Sequence, residues 1–241
     1  MLLFDIGNSR TKYTRVTGAG LSDTITINNQ EFTIKSILND IKGTTQLIVT
    51  SVSDDRILNL LKDACKQYNT TLKEIKSEYQ NGNVLSGYDK PETLGVDRWL
   101  ALIGAEQLYP KKNLLIIDSG TATTVDLIDK EARHIGGWIM PGIETIFSSV
   151  IQSTSNVKAS HISKPSLLFG KNTNTNVNSA CWAMTVGAIN EAIYQAQQML
   201  GELDNVILTG GNAESIKQLI KINCIVEEQL IFYGMKTYKN K

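Results

Sequence analysis

The feature that most constrains the fold is a pattern written twice. Residues 2–16 read LLFDIGNSRTKYTRV, and residues 113–128 read NLLIIDSGTATTVDLI. Each begins as an apolar run, reaches a carboxylate, turns on a D-x-G tripeptide through small polar residues and resumes with β-favouring residues. That is the pattern of strand, tight turn and returning strand. Asp5-Ile6-Gly7 matches Asp118-Ser119-Gly120 at an offset of 118 − 5 = 113 residues, and in that register Thr11 falls on Thr124. Two D-x-G tripeptides in 241 residues are unremarkable on their own. Two in the same context predict duplicated domains of roughly 110–130 residues facing each other, here 1–112 and 113–241.

The rest of the chain fits around these hairpins. Thr24 to Ile27 alternates as a strand. Phe32 to Ile41 has apolar residues at 34, 37, 38 and 41, a helical spacing, and Gln46 to Ser51 reads as a strand. Asp54 to Tyr68 places Ile57, Leu60, Leu61 and Ala64 on one helical face behind a Ser53 N-cap. Val96 to Leu108 predicts a helix with Trp99, Leu100, Ile103 and Leu108 on its apolar face, ended by Pro110. Asn205 to Thr209 reads as a buried strand, Gly210 to Ala213 as a turn and Glu214 to Ile222 as a helix. The whole is an α/β pattern whose first strands are antiparallel.

Composition removes several classes of function. The chain is 41% hydrophobic and 20% charged with zero formal net charge, which describes a soluble globular protein and gives bulk attraction to nucleic acid no support. Lys111-Lys112 reads as solvated surface. Cys65, Cys181 and Cys224 are widely spaced and form no CxxC pair, as expected of reduced thiols in a cytoplasm. With only His134 and His161 and no HExxH, a catalytic zinc site is not expected. No leader-like segment opens the sequence, and no apolar run approaches the ~20 residues that span a bilayer, so no membrane role is expected. His134 reads as surface. Trp99, Trp138 and Trp182 read as core or interface residues, and Cys181 as a small apolar residue in a buried helix.

Which phosphate loop the hairpins form is decided by their glycines. A dinucleotide fold needs GxGxxG between strand and helix, and a P-loop needs GxxxxGK[ST]. GNSRTK has one glycine and leads into a strand, so both fit poorly. What fits is a hairpin turn whose backbone N–H groups face phosphate oxygens, with Gly7 and Gly120 allowing close approach. Asp5 suits a water-mediated contact to Mg²⁺, which keeps much of its hydration shell, and Lys12 adds a movable positive charge. An Asx-type turn without a ligand is the plainer alternative. Gly210 and Gly211 could admit an adenine and ribose against backbone, or could form a plain strand-to-helix connection.

Together these turns resemble the actin, Hsp70 and sugar-kinase superfamily. Within it the chain resembles type III pantothenate kinase through DIGNSRTK at 5–12, YDKPETLGVDR at 88–98, DSGTATTVD at 118–126, GGWIMPG at 136–142, GKNT at 170–173 and TGGNA at 209–213. The resemblance implies an α/β fold of two duplicated ribonuclease-H-like (actin-like) domains with an ATP cleft between them. It implies ATP-dependent phosphorylation of pantothenate to 4'-phosphopantothenate, the first step of coenzyme A biosynthesis. By the same likeness Asp97 is the general base, and Asp5, Gly7, Asn8, Ser9, Lys12, Gly120, Thr121, Gly210 and Gly211 bind ATP. Tyr88, Gly95, Arg98 and Thr173 bind pantothenate, Thr173 reaching the site of a partner subunit in a homodimer. Asp5 would meet Mg²⁺ through water, and Asp118 and Asp126 a monovalent cation, K⁺ or NH₄⁺. Asp97 would open a helix, where the macrodipole favours negative charge.

The sequence departs from the family's habit at Ser9, in place of threonine, and at Ala180, in place of glycine; residues 153–164 match only diffusely. Two rivals remain. One is a relative acting on another small alcohol or on a phosphoanhydride, against which Tyr88, Gly95, Asp97 and Arg98 count. The other is a non-catalytic nucleotide-binding or regulatory protein, against which Asp5, Asp97, Asp118 and the neutral charge count.

Overall fold

The structure is a computed structural model that describes residues 1–52, 55–162 and 164–240. The expected Ser53 cap and the Asp54 start of its helix lie outside the described residues. In chain order the elements are β1 (Leu2–Ile6), β2 (Arg10–Thr17), β3 (Gly20–Leu21), β4 (Ile25–Asn28), α1 (Ile34–Ile41), β5 (Gln46–Ser51), α2 (Asp55–Gln67), β6 (Thr71–Glu74), β7 (Gln80–Asn81), β8 (Val84–Leu85) and α3 (Val96–Leu108). They continue with β9 (Leu114–Ser119), β10 (Ala122–Ile128), β11 (His134–Pro141), α4 (Ile143–Ser153), α5 (Thr173–Leu200), β12 (Asn205–Thr209), α6 (Ala213–Leu219), β13 (Ile225–Val226) and α7 (Leu230–Lys236). Two compact units result: Met1–Tyr109 with Gln229–Lys241, and Pro110–Glu228. The expected division after 112 falls three residues from that break, but residues 229–241, expected in the second domain, belong to the first unit.

The two units share one wiring. The first sheet runs β3-β2-β1-β5-β6 with β4 also on β2; the second runs β11-β10-β9-β12-β13. In each, the first strand is antiparallel to its hairpin partner and parallel to the later strand, β5 or β12. Leu2, Leu3, Phe4 and Ile6 are all fully buried, as a strand covered on both faces requires. One face of the first sheet packs Leu2, Phe4 and Ile6 against Ile37 and Ile41 of α1 and Ile57 and Leu61 of α2. In the second unit Leu115, Ile117, Val125 and Leu127 pack against Trp182, Val186, Ile189 and Ile193 of α5.

Helix α3 departs from the one-sided face its sequence suggests, because every residue from Arg98 to Glu106 is buried. One of its covers is α7, which crosses it at backbone contact. A Cβ at Gly104 would stand 3.2 Å from the Gly234 nitrogen and closer still to the Leu230 carbonyl oxygen, and one at Gly234 would press on the Leu100 carbonyl. Trp99 Nε1 donates to the Tyr238 hydroxyl at 3.0 Å, which itself donates to Glu78 at 2.7 Å. Burial, and then that bond to Glu78, hold the Tyr238 phenol well above its ordinary range.

Cys65, Cys181 and Cys224 are free and buried, and burial pushes all three thiols up, Cys65 to about 11. None is a ready nucleophile. Trp99 and Trp182 lie in the core, whereas Trp138 stands 42% exposed on β11. His134 is a correction: expected at the surface, it is 3% exposed.

Candidate active site

The first turn, Gly7 to Arg10, joins β1 and β2 and closes through a Gly7 N–H bond to the Arg10 carbonyl at 3.0 Å. Asp5, one residue before the end of β1, lies between two cross-strand neighbours, Lys12 on β2 and Thr50 on β5. Its carboxylate is half-buried at the strand's end, while Asn8 and Ser9 stand exposed in the turn. The single carboxylate with an adjacent lysine suits a hydrated divalent ion carried on phosphates better than an all-protein cage. No group of three or more His, Cys, Asp or Glu side chains gathers as a metal cage among the described residues.

The second turn is one residue shorter than the repeat suggests. Ile6 faces Thr11 across four turn residues, but Ser119 faces Thr123 across three. Thr11 therefore corresponds to Thr123, not to Thr124, and both threonines are fully buried. Gly120 and Thr121 lie exposed in this turn. Asp118, at the end of β9, lies between Thr124 of β10 and Thr209 of β12, matching Asp5 in its sheet.

Gly210 closes the third turn with φ +87°, and a Cβ there would stand 2.6 Å from the Ser119 carbonyl and press on the Asp118 carboxylate. Its glycine is thus required by the fit of the turn against Asp118. Gly211 faces open space.

Of the residues expected at the acceptor, Gly95, Asp97 and Arg98 lie at the N-cap and first turn of α3. Gly95 is the N-cap, and a Cβ there would lie 2.7 Å from Asp97 Oδ1, so the glycine leaves room for that carboxylate. Asp97 Oδ1 accepts the Arg98 N–H at 2.8 Å, which fixes the carboxylate over the helix start. The Arg98 guanidinium, buried, donates from Nη1 to the Tyr88 hydroxyl at 2.6 Å. Spacing in the sequence joins Asp97 to Arg98; only the fold brings Tyr88, ten residues earlier, onto the arginine.

Thr173 is the first residue of α5, exposed, behind an Asn172 N-cap whose side chain accepts the Thr175 N–H at 2.9 Å. Asp126 lies two residues beyond Thr124 on β10, on the same face of the sheet as Asp118. It faces Ile116 rather than the turn, is 2% exposed, and meets His134 Nε2 through Oδ1 at 2.9 Å.

Two turns of one design with an acidic residue at each strand end, and an Asp-Arg-Tyr cluster on one helix start, are the geometry against which the chain's likenesses can be set. The profile described as type III pantothenate kinase matches residues 1–195. The chain belongs to the type III pantothenate kinase family. A type III pantothenate kinase of Colwellia psychrerythraea (strain 34H) is 42% identical over 248 residues, covering 99% of each chain. One of Idiomarina loihiensis is 29% identical, covering 98% of this chain and 97% of its own. Among solved structures, a Baf family protein of Campylobacter jejuni gives a TM-score of 0.62 at 21% identity, covering 98% of this chain and 96% of that one. The activator of 2-hydroxyisocaproyl-CoA dehydratase from Clostridium difficile, with bound ADPNP, gives 0.51 at 14% identity, covering 99% and 93%. These structural likenesses speak to the fold: mixed α/β units of the duplicated kind found in sugar kinases. As a type III pantothenate kinase family member, the chain is a kinase.

Sequence reasoning missed Asn29 and Thr145. Neither belongs to a motif: Asn29 follows β4 and Thr145 lies in the first turn of α4, and each donates to a turn carbonyl.

Proposed function

We propose that the chain phosphorylates pantothenate with ATP, the first step of coenzyme A biosynthesis, and that Asp97 is the general base. The observation that carries this reading is the cluster of Gly95, Asp97, Arg98 and Tyr88, where a carboxylate held by the Arg98 backbone N–H is followed by a buried guanidinium that donates to Tyr88. The guanidinium and the Tyr88 hydroxyl orient the acceptor, with Arg98 facing its carboxylate. The acceptor hydroxyl oxygen forms a bond to the γ-phosphorus as the bond to the β-phosphate oxygen breaks and ADP leaves. The hydroxyl proton passes to Asp97 and on to water. In a loose transition state the proton moves late, so positioning outweighs basicity.

Asn8 and Ser9 of the first turn, Lys12 of β2, and Gly120 and Thr121 of the second turn hold phosphate oxygens, with Gly7 allowing close approach. Gly211 borders the nucleoside, while Gly210 shapes that turn. Asp5 would hold Mg²⁺ through water; when bound, the ion neutralises charge on the phosphates. For a monovalent cation the donor set favours Asp118, at a strand end beside its turn, over Asp126, which is buried against His134. A cytoplasmic setting agrees with three free thiols.

A homodimer is part of the same reading. Strand β11 is an edge strand with Trp138 42% and Ile139 67% exposed, and α5 adds Met184 at 60% and Met199 at 61%. Between β11 and α5 lies a largely apolar groove of about 340 Å³ lined by Gly136, Gly137, Trp138, Ala192 and Met199. Light scattering that finds a 26.6 kDa monomer at working concentration would refute the dimer.

The deciding experiment is a coupled ATP-consumption assay with pantothenate and Mg²⁺ in potassium, ammonium and sodium buffers. Pantothenate-dependent turnover is expected, lower in sodium. Asp97→Asn is expected to bind ATP as the wild type does and to lose about 10²–10⁴-fold in turnover; near-normal turnover would remove Asp97 from the base role.

A further inference from the structure

Both turns are gripped from outside by donors in matching places. Arg10 faces Asn28 across β2 and β4, and Ala122 faces Pro141 across β10 and β11. The next residue along each outer strand, Asn29 or Gly142, donates its backbone N–H to a turn carbonyl: Asn29 to Ser9 at 3.0 Å and Gly142 to Thr121 at 3.1 Å. In each unit a side chain then adds to the grip. Asn29 Nδ2 donates to the carbonyls of Gly7 at 2.8 Å and Asn8 at 3.1 Å. Thr145 Oγ1, in the first turn of α4, donates to the carbonyl of Thr121 at 2.9 Å. The Asn29 amide is itself oriented: buried Thr11 donates from Oγ1 to Asn29 Oδ1 at 2.8 Å, and the Arg56 guanidinium donates to the Asn29 carbonyl.

The consequence follows from peptide geometry. A trans peptide carries its C=O and the following N–H on opposite edges of one plane. Drawing the carbonyls of Gly7, Asn8 and Ser9 onto Asn29 therefore turns the N–H groups of Asn8, Ser9 and Arg10 the other way. Drawing the Thr121 carbonyl onto Gly142 and Thr145 does the same for the Ala122 N–H. A turn left loose can present a carbonyl oxygen to an approaching phosphate, which repels it; a gripped turn keeps the bonded carbonyls turned away and does not reorganise when charge arrives. The duplicated units meet this need with the same backbone bond but with different side chains, an amide in one and a hydroxyl in the other.

The geometry points to Asn29 and Thr145 as positioning residues for nucleotide phosphates, acting through the carbonyls of the two turns without touching the ligand. This rests on the reading of the turns as ATP-binding. Equilibrium binding of the fluorescent analogue mant-ATP, with Mg²⁺ and without pantothenate, tests it on the full chain as wild type, Asn29→Leu, Thr145→Val and Thr145→Ser. Loss of the two Asn29 donor bonds is expected to raise the dissociation constant about tenfold, and loss of the Thr145 bond about threefold because the Gly142 N–H remains. Thr145→Ser keeps the hydroxyl and is expected to bind as the wild type does.

Unchanged affinity in Asn29→Leu and Thr145→Val would overturn the proposal. So would a fall in nucleotide-free melting temperature with the affinity of the folded fraction intact, since that is what a merely structural role gives. Equal losses in Thr145→Val and Thr145→Ser would overturn the role of the hydroxyl. Should Asn29→Leu fail to fold, the Thr145 pair decides. A wild type that binds mant-ATP yet shows no pantothenate-dependent turnover would sink the acceptor assignment alone and leave this comparison standing.

Discussion

Where α3 crosses α7, Gly104 and Gly234 each stand against the backbone of the opposite helix, and this makes a testable coupling. With Gly104→Ala the new methyl would lie 3.1 Å from the Leu230 carbonyl carbon and 3.2 Å from the Gly234 nitrogen, with the Leu230 oxygen nearer still. Ordinary contact begins at 3.4 Å, and the obstacle is backbone, which cannot swing aside as a side chain would. The helices must part. Overpacking of this sort costs about 1–3 kcal/mol, here at the upper end, and alanine returns about 1 kcal/mol of helix propensity, leaving a net loss of about 2 kcal/mol.

Gly234→Ala presses on Leu100 one turn away and should cost about the same. Once parted, the helices have room for both methyls, so the double variant should cost at least about 1 kcal/mol less than the two singles together. Urea unfolding followed by circular dichroism at one fixed chain concentration measures all three. A single variant within about 0.5 kcal/mol of wild type, or a double variant that loses the full sum, would refute the backbone-contact account. Because Asp97 and Arg98 lie in the first turn of α3, the KM for pantothenate should rise more than that for ATP.

Three further outcomes are expected. Gly142→Ala would set a methyl 2.7 Å from the Thr121 carbonyl oxygen and press on that of Gly120, so ATP affinity measured by calorimetry should fall at least about tenfold. His134→Ala strips a partner from a buried carboxylate and should cost about 2 kcal/mol or more in urea unfolding, while the response to potassium stays as in wild type; Asp118→Asn should abolish that response. The bond from Lys112, and then the Asn113 N–H, hold the Asp204 carboxyl below its ordinary value of 3.8, so its contribution to stability is present above that pH and is lost as pH falls. Asp204→Asn should therefore differ from wild type in melting temperature at neutral pH, and the difference should shrink on acidification below about pH 4.

Much of this fold was legible because its signals are local. β5, α3 and β12 begin and end where the apolar runs and the Gly95 and Pro110 boundaries put them, and both D-x-G turns fall between antiparallel strands. What was not legible depends on partners distant in sequence. His134 sits in a polar stretch beside two glycines, and nothing nearby reveals that Asp126 will bury it. Pairing Thr11 with Thr124 assumed turns of equal length, and one missing residue shifts every partner beyond it. The all-round burial of α3 could not be read from its own period, because α7 covers it from more than a hundred residues away. Of the site, the chemical groups were visible as motifs. The donors that hold the turns were not, since Asn29 and Thr145 act through main-chain carbonyls, which leave no trace in residue type.

The return of residues 229–241 to the first unit sets an order of completion during synthesis. A ribosome delivers α3 long before α7, and all of residues 110–228 emerges between them. The second unit can close as a self-contained insertion while the first still lacks the helix that braces the Asp97 turn. If the two D-x-G turns hold phosphates and the start of α3 holds the acceptor, as proposed, a chain released early would carry both turns without a finished acceptor site, so phosphoryl transfer would become possible only after the message has been read through to the far side of that insertion.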